Sequence, residues 1–281
     1  MRTDKVDFTG VQSTMLVTLY LRALDSADPE PILGDRFAAE AVRRIDYDWA
    51  KLDKPHIRRS RTAGSLRPKL FDDWTADFLR HNPEATVLQL ACGLDTRAFR
   101  LTLPTGVHWF DVDLPDVIEL RRMLYSENEN YHMIAASVTE QAWLDGIPAG
   151  KPVLIIAEGL LMYLPEHEVR QLLHRLTEHF PRGELIFDGF LPWVPKLTQL
   201  TKKVLGRRYA YPPYLTGIRD GSDIERWNPR LRCRERIAIL DRIGETKLGR
   251  NPVLRMARRF DRFRNTLCLF RADYEPRSSS S

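Results

Sequence analysis

The chain has 281 residues, 43% hydrophobic and 29% charged, with a formal net charge of +5; that is enough for a large core within one α/β domain and is the balance of a soluble globular protein. No apolar run approaches the roughly 20 residues that span a bilayer, and residues 1–7 lack the apolar centre of a secretory leader, which points to a cytoplasmic protein with no membrane partner. Cys92, Cys233 and Cys268 are odd in number and far apart, so they read as reduced thiols rather than a disulfide framework or a metal set.

Residues 11–24 carry Val11, Met15, Leu16, Leu19 and Tyr20 at helical spacing, and Asp28-Pro29-Glu30-Pro31 ends that helix. A second helix is expected over 35–44. Residues 45–52 then lead into a basic stretch, 56–67. Phe71, Trp74, Phe78 and Leu79 again repeat at helical spacing and mark core rather than ligand contacts.

The most informative stretch is 86–100. Val87, Leu88, Leu90 and Ala91 form a run of buried-strand length, Cys92-Gly93 breaks it, and Leu94, Ala98 and Phe99 resume as a helix. Strand, glycine turn and helix open a nucleotide-binding α/β unit, and Gly93 lets a ligand come close to the backbone. The G-x-G-x-x-G of dinucleotide sites and the Gly-Lys-Ser/Thr of phosphate loops are both missing. A dehydrogenase is therefore disfavoured, and a nucleoside or amino acid fits better. Asp95 shapes the turn. The next strand, 108–113, ends in Asp113, 20 positions after Gly93. A carboxylate there can accept two hydrogen bonds from a ribose diol; the alternative is a solvated acid before Pro115.

Helical spacing returns over 116–125, and 131–136 reads as a third strand followed by Ser137 and Val138. Residues 152–157 are near-continuously apolar, as buried parallel strands are. Glu158-Gly159 stands at their carboxyl end, where open α/β sheets bind ligands. A carboxylate is costly to bury there unless a charged or donating group meets it; otherwise Glu158 caps the next turn. Tyr163 follows near the mouth and either positions a bound molecule or packs. Pro165 opens a helix whose buried stripe is Val169, Leu172, Leu173, Leu176 and Phe180, and 184–190 is a fifth strand carrying Asp188 at its end.

From 191 to 228 regular signals fade. Pro192, Pro195, Pro212 and Pro213 alternate with Trp193, Tyr209, Tyr211, Tyr214 and Trp227. This reads either as a lid over an apolar substrate or as a loop with a buried aromatic cluster. Residues 236–241 form a short strand-like or helical piece, 266–272 the last strand, and 277–281 a frayed tail. The arginine-rich stretches 226–236 and 255–264 are interrupted by Glu235 and Asp261, with Asp223 and Glu225 just before the first. They read as solvated helix faces rather than a nucleic-acid footprint, although their charge would also attract an acidic small substrate.

Three motifs occur in order: Leu90-Ala-Cys-Gly-Leu-Asp-Thr-Arg97 with Phe99-Arg-Leu101, Phe110-Asp-Val-Asp-Leu-Pro115, and Ala157-Glu-Gly-Leu-Leu-Met-Tyr-Leu164. From about residue 11 to 269 the chain resembles the leucine carboxyl methyltransferase superfamily, and within it the bacterial tetracenomycin-polyketide-type O-methyltransferases. The resemblance implies a class I fold dependent on S-adenosyl-L-methionine (SAM), with S-adenosyl-L-homocysteine as product. It implies a Rossmann-like seven-stranded sheet of order 3-2-1-4-5-7-6 in a single domain over 1–281. Within that domain 1–65 is a helical cap, 66–190 the SAM-binding core, 191–235 a lid after the fifth strand and 236–275 the last strands.

By the same resemblance Arg67, just before the first core helix, meets the SAM carboxylate, as a guanidinium forking onto a carboxylate can. Pro68 stands where relatives have a small residue. Gly93, Asp95, Asp113, Ser137, Val138 and Glu158 complete the SAM site. At Ser137 many relatives carry an acid that holds the adenine amino group, and a hydroxyl is a weaker substitute, which leaves the backbone N–H of Val138. Tyr163 is the candidate for positioning the methyl acceptor, with no catalytic base singled out. The expected reaction is O-methylation of a carboxylate or hydroxyl of a small, aromatic or polyketide-like metabolite. The alternatives are carboxyl methylation of a protein C-terminus and a methyltransferase-like binding module without turnover.

Overall fold

The computed structural model describes residues 13–206 and 212–276; Val11, Tyr209, Tyr211 and the 277–281 tail lie outside them. Seven strands form one sheet of order β3-β2-β1-β4-β5-β7-β6. They are β1 (Thr86–Leu90), β2 (His108–Asp113), β3 (Tyr131–Ala135), β4 (Val153–Ala157), β5 (Gly183–Phe190), β6 (Arg232–Ala238) and β7 (Leu267–Tyr274). The first five are parallel, and β7 runs antiparallel between β5 and β6. This is the order implied by the resemblance.

Successive strand residues face opposite sides of the sheet, so each strand feeds two cores. Leu88, Leu90, Ile155 and Phe187 lie on one side, packed with Leu172, Leu173 and Leu176 of α7 (Glu166–His179). Val87, Leu154, Ile156 and Ile186 lie on the other, under Phe71, Trp74 and Phe78 of α4 (Arg61–His81). Burial on both faces explains why β4 is apolar throughout and β1 at Val87, Leu88 and Leu90.

A third cluster belongs to α1 (Ser13–Ser26) and α2 (Arg36–Arg44), which pack with Leu94 and with Val117, Leu120 and Leu124 of α6 (Pro115–Leu124). α1 also lies against α4. A Cβ at Gly64 would stand 2.7 Å from Leu21 Cδ1, so the helices approach this closely because position 64 has no side chain. α3 (Pro55–Arg59) links the cap to α4.

Three expectations change. Arg67 does not precede the first core helix. It lies inside α4, which continues through Pro68 and crosses the expected cap boundary at 65. The stretch after β5 is not irregular, because α8 (Trp193–Leu205) and α9 (Gly221–Trp227) occupy much of it. Pro192 is the N-cap residue of α8 and Pro195 sits in its first turn, where a missing N–H costs nothing. The prolines therefore start a helix rather than prevent one. Finally, the basic stretch 226–236 runs from the end of α9 into the outer strand β6, which already begins at Arg232, inside the expected lid. The second basic stretch falls on α11 (Pro252–Ala257) and α12 (Asp261–Arg264), after α10 (Ile239–Gly244). Its arginines are interleaved with exposed Met256, Phe260 and Phe263 rather than lying on a purely polar face.

Candidate active site

The chain leaves β1 through two left-handed residues, Ala91 (φ 49°) and Gly93 (φ 51°), on either side of Cys92. The conformation is free for glycine but costs Ala91 about 1–2 kcal/mol. Arg121 of α6, fully buried, holds this turn from beneath. It donates to the carbonyls of Gly93 (2.9 Å) and Asp95 (2.8 Å) and pairs with Asp111 and the Tyr131 hydroxyl. From above, Met15 of α1 covers the turn, 3.3 Å from where a Gly93 Cβ would sit. Arg22 of α1 donates to the Leu94 carbonyl (2.8 Å) and pairs with Asp35 at 2.6 Å. α5 (Arg97–Arg100) follows at once, shorter than the helix the spacing suggests.

Asp113 closes the far side of the turn. Its Oδ2 accepts from Gly93 N and its Oδ1 from Leu114 N, each at 2.7 Å. It is thus not a solvated loop acid. Burial pushes its carboxyl above the usual range, and the two N–H donors restrain the rise. Each oxygen keeps a lone pair beyond its backbone bond, which is what a diol needs.

A chain of buried charges runs behind the cavity. Fully buried Arg97 bridges Asp72 (2.6 Å), Asp95 (2.8 Å) and Glu158 (2.8 Å). Arg100 joins Asp72 to Asp95, and Gln89 Nε2 donates to Asp95 at 2.7 Å. Burial opposes the charge of Asp95, but Arg100, Arg97 and Arg22 hold its carboxyl well below the usual carboxylate range. The groups meeting Glu158 are two guanidiniums of the protein itself, Arg97 and Arg67, the latter at 3.0 Å.

Arg67 spans Glu158 and the fully buried Asp188, 2.9 Å from its Nη1. Asp188 also accepts from Gly159 N at 2.6 Å, and Gly159 holds φ 69°. Burial works against the Arg67 charge, yet the two carboxylates raise its proton affinity above that of an ordinary arginine. Burial likewise raises the Asp188 carboxyl, opposed by Arg67 and the Gly159 N–H.

These elements enclose one cavity of about 570 Å³, open at one side, and every expected site residue lines it: Arg67, Gly93, Asp95, Asp113, Ser137, Val138, Glu158 and Tyr163. The volume is that of a small-molecule site, roughly 300–1,000 Å³. Ser137 contributes little through its hydroxyl, which pairs with Thr139 Oγ1 at 2.8 Å. The exposed side chain of Leu114 and the buried Val117 give that end an apolar wall.

The other end is aromatic. Tyr214 stacks on Phe190 (centroids 4.6 Å apart) and meets Tyr163 edge-on at 5.3 Å. The Tyr163 hydroxyl bonds Thr14 of the cap and Tyr214 of the segment after α8; burial raises its pKa, so the phenol keeps its proton. That segment is laid across the mouth by Leu215 N to the Met162 carbonyl and Ile218 N to the Phe190 carbonyl, both 2.7 Å. The aromatic-cluster reading thus describes this segment, which carries Tyr214 against Tyr163 and Phe190 at the cavity. Arg22, Arg97, Gln89 and Thr14 were not singled out from the sequence. Arg97 stands within a quoted motif, but nothing local distinguishes it from a surface arginine.

Residues 15–177 match the family model described as leucine carboxyl methyltransferase. The chain is 41% identical over 240 residues to the tetracenomycin polyketide synthesis O-methyltransferase TcmP of Streptomyces glaucescens, covering 85% of this chain and 86% of that one. It is 33% identical over 255 residues to the S-adenosyl-L-methionine-dependent methyltransferase dpfgK of Gibberella zeae, covering 84% and 85%. Among solved structures, a DUF574-family protein of Streptomyces avermitilis shares the fold with a TM-score of 0.56 at 13% identity, over 94% of this chain and 97% of that one.

Proposed function

The chain belongs to the leucine carboxyl methyltransferase family and is a SAM-dependent methyltransferase of class I fold, and from that premise we propose that it esterifies a carboxylate oxygen of a small, aromatic, polyketide-like acid. The carrying observation is the state of the cavity's ionisable groups. Among the described residues, Asp95 and Glu158 are bound by arginines, Asp113 by backbone N–H groups, and Tyr163 retains its proton. None is placed to take a proton from a hydroxyl acceptor. A carboxylate acceptor arrives already anionic and needs no base.

Bound SAM supplies an activated methyl on a sulfonium. The residues fit it. Asp113 offers paired acceptors for the ribose hydroxyls, and Gly93 an approach without a Cβ. Leu114 and Val117 offer an apolar slot for the adenine, and the Val138 backbone N–H a donor at its edge. Arg67 and Glu158 offer opposite charges for the carboxylate and ammonium of the amino-acid part. Tyr163, protonated and held from both the cap and the lid, donates to the acceptor carboxylate and orients it. Tyr214 and Phe190 flank a flat ring and exclude water.

The role of TcmP in polyketide synthesis supports a small acceptor over a protein C-terminus. The test is methyl transfer to an aromatic polyketide acid, to its preformed methyl ester and to a C-terminal leucine peptide, with products read by mass spectrometry. A base-labile methyl ester from the free acid is expected. A base-stable ether, or transfer to the ester substrate, would assign a hydroxyl acceptor; transfer only to the peptide would assign a protein C-terminus; SAM binding without turnover on any of them would favour a binding module.

A further inference from the structure

Residues 247–264 hold seven Lys and Arg residues against Asp261 alone, more than the +5 excess of the entire chain. The same segment, α11 and α12 with the turn between them, exposes large apolar groups: Val253 is 72% exposed, Met256 55%, Phe260 55% and Phe263 50%. Arg250, Arg255 and Arg259 are exposed and form no ion pair among the described residues. α8 presents a second stripe. Trp193, Leu197, Leu200 and Val204 fall on one face by helical spacing, and the last three are 51%, 58% and 73% exposed. The stripes meet, since the Trp193 ring lies 6.5 Å from that of Phe263 and under the Arg262 guanidinium at 5.2 Å.

The position is also particular. Leu267, which opens β7, pairs with Phe190 of the cavity wall, and Leu191 N donates to the Thr266 carbonyl. The basic apolar face thus lies at the same sheet edge as the acceptor end of the site. Monomer surfaces seldom leave this many large side chains exposed together without a partner.

We propose that the α8 and α11–α12 face docks onto an anionic lipid surface, with Phe260, Phe263 and Met256 entering the headgroup region and the arginines facing lipid phosphates. The charge selects this occupant: a basic face with Trp, Phe and Leu on its apolar side is the composition of a helix that lies in a membrane interface. None of the described helices is long and apolar enough to cross a bilayer, so the association is peripheral and salt-sensitive.

The experiment is co-sedimentation of the full chain with phosphatidylcholine–phosphatidylglycerol vesicles and with pure phosphatidylcholine vesicles. It uses wild type, an Arg255→Gln/Arg259→Gln variant and a Phe260→Ser/Phe263→Ser variant, each checked for SAM binding as evidence of folding. Binding to the anionic vesicles is expected, weakened about 25-fold by the arginine pair at roughly fivefold per charge, and lost in the serine pair. No binding by folded wild type, or binding that ignores lipid charge or the substitutions, overturns the proposal. So does a concentration-dependent dimer that the serine pair dissociates, because the face would then belong to a second copy of the chain.

Discussion

Replacing Asp113 by alanine tests the cofactor site at its best-defined point. The carboxylate bonds Gly93 N and Leu114 N at 2.7 Å each, and in the proposed site it also accepts the two ribose hydroxyls. Hydrogen bonds to a charged group contribute about 1.5–3 kcal/mol each. Water can enter the open cavity and replace part of that, so the loss in SAM affinity should be about 2–4 kcal/mol, or about 30- to 1,000-fold in Kd. The two backbone donors lose their partner as well, which should lower stability by about 1–3 kcal/mol. Calorimetric titration with SAM and with S-adenosylhomocysteine, beside a thermal melt, separates the two effects. A Kd within about threefold of wild type would refute the reasoning, because a group that holds both the turn and the ribose cannot be removed silently.

Tyr163→Phe should lower kcat/KM about tenfold, the equivalent of one hydrogen bond, while leaving SAM affinity unchanged; a change in SAM Kd with normal turnover would move Tyr163 into the cofactor subsite. Arg97→Met should cost about 3 kcal/mol in urea unfolding, the low end for breaking a buried pair, because Arg100 still serves Asp72 and Asp95 and Arg67 still serves Glu158. An unchanged midpoint would contradict the bridging role. Asp113 and Asp188 both have carboxyls raised by burial. The folded protein without cofactor therefore binds their protons more tightly than the unfolded chain does. Its stability should fall as pH rises from the ordinary carboxylate value near about 3.9 through the raised folded values. SAM binding, which in the proposed site uses ionised Asp113, should weaken as pH falls through the same window. Melts and titrations across that range check both signs, and a SAM affinity flat through it would exclude Asp113 from the site.

Local pattern was sufficient for the sheet. Val153 to Ala157 is apolar throughout, and Val87 to Leu90 at all but Gln89, because both faces of a central parallel strand are buried, and that is visible in a run of four or five letters. Gly93 and Asp113 were legible because a tight turn and a strand-end acid carry their signals within a few residues. Glu158 was legible for the cost of burying it, but not for its partners, which come from positions 67 and 97. α8 was misread although Trp193, Leu197, Leu200 and Val204 recur at helical spacing, because Pro192 and Pro195 read as breakers when they stand at the start of the helix.

What only the tertiary structure decided is which charges meet. Arg97 links residues 72, 95 and 158, and Arg67 links 158 and 188; no window of sequence contains either set. The same holds for the aromatic end of the cavity, where Thr14, Tyr163 and Tyr214 converge from α1, from just past β4 and from the segment after α8. Helix and strand periods report burial along one element, whereas a site is made where elements far apart in the chain bring their ends to one edge of the sheet.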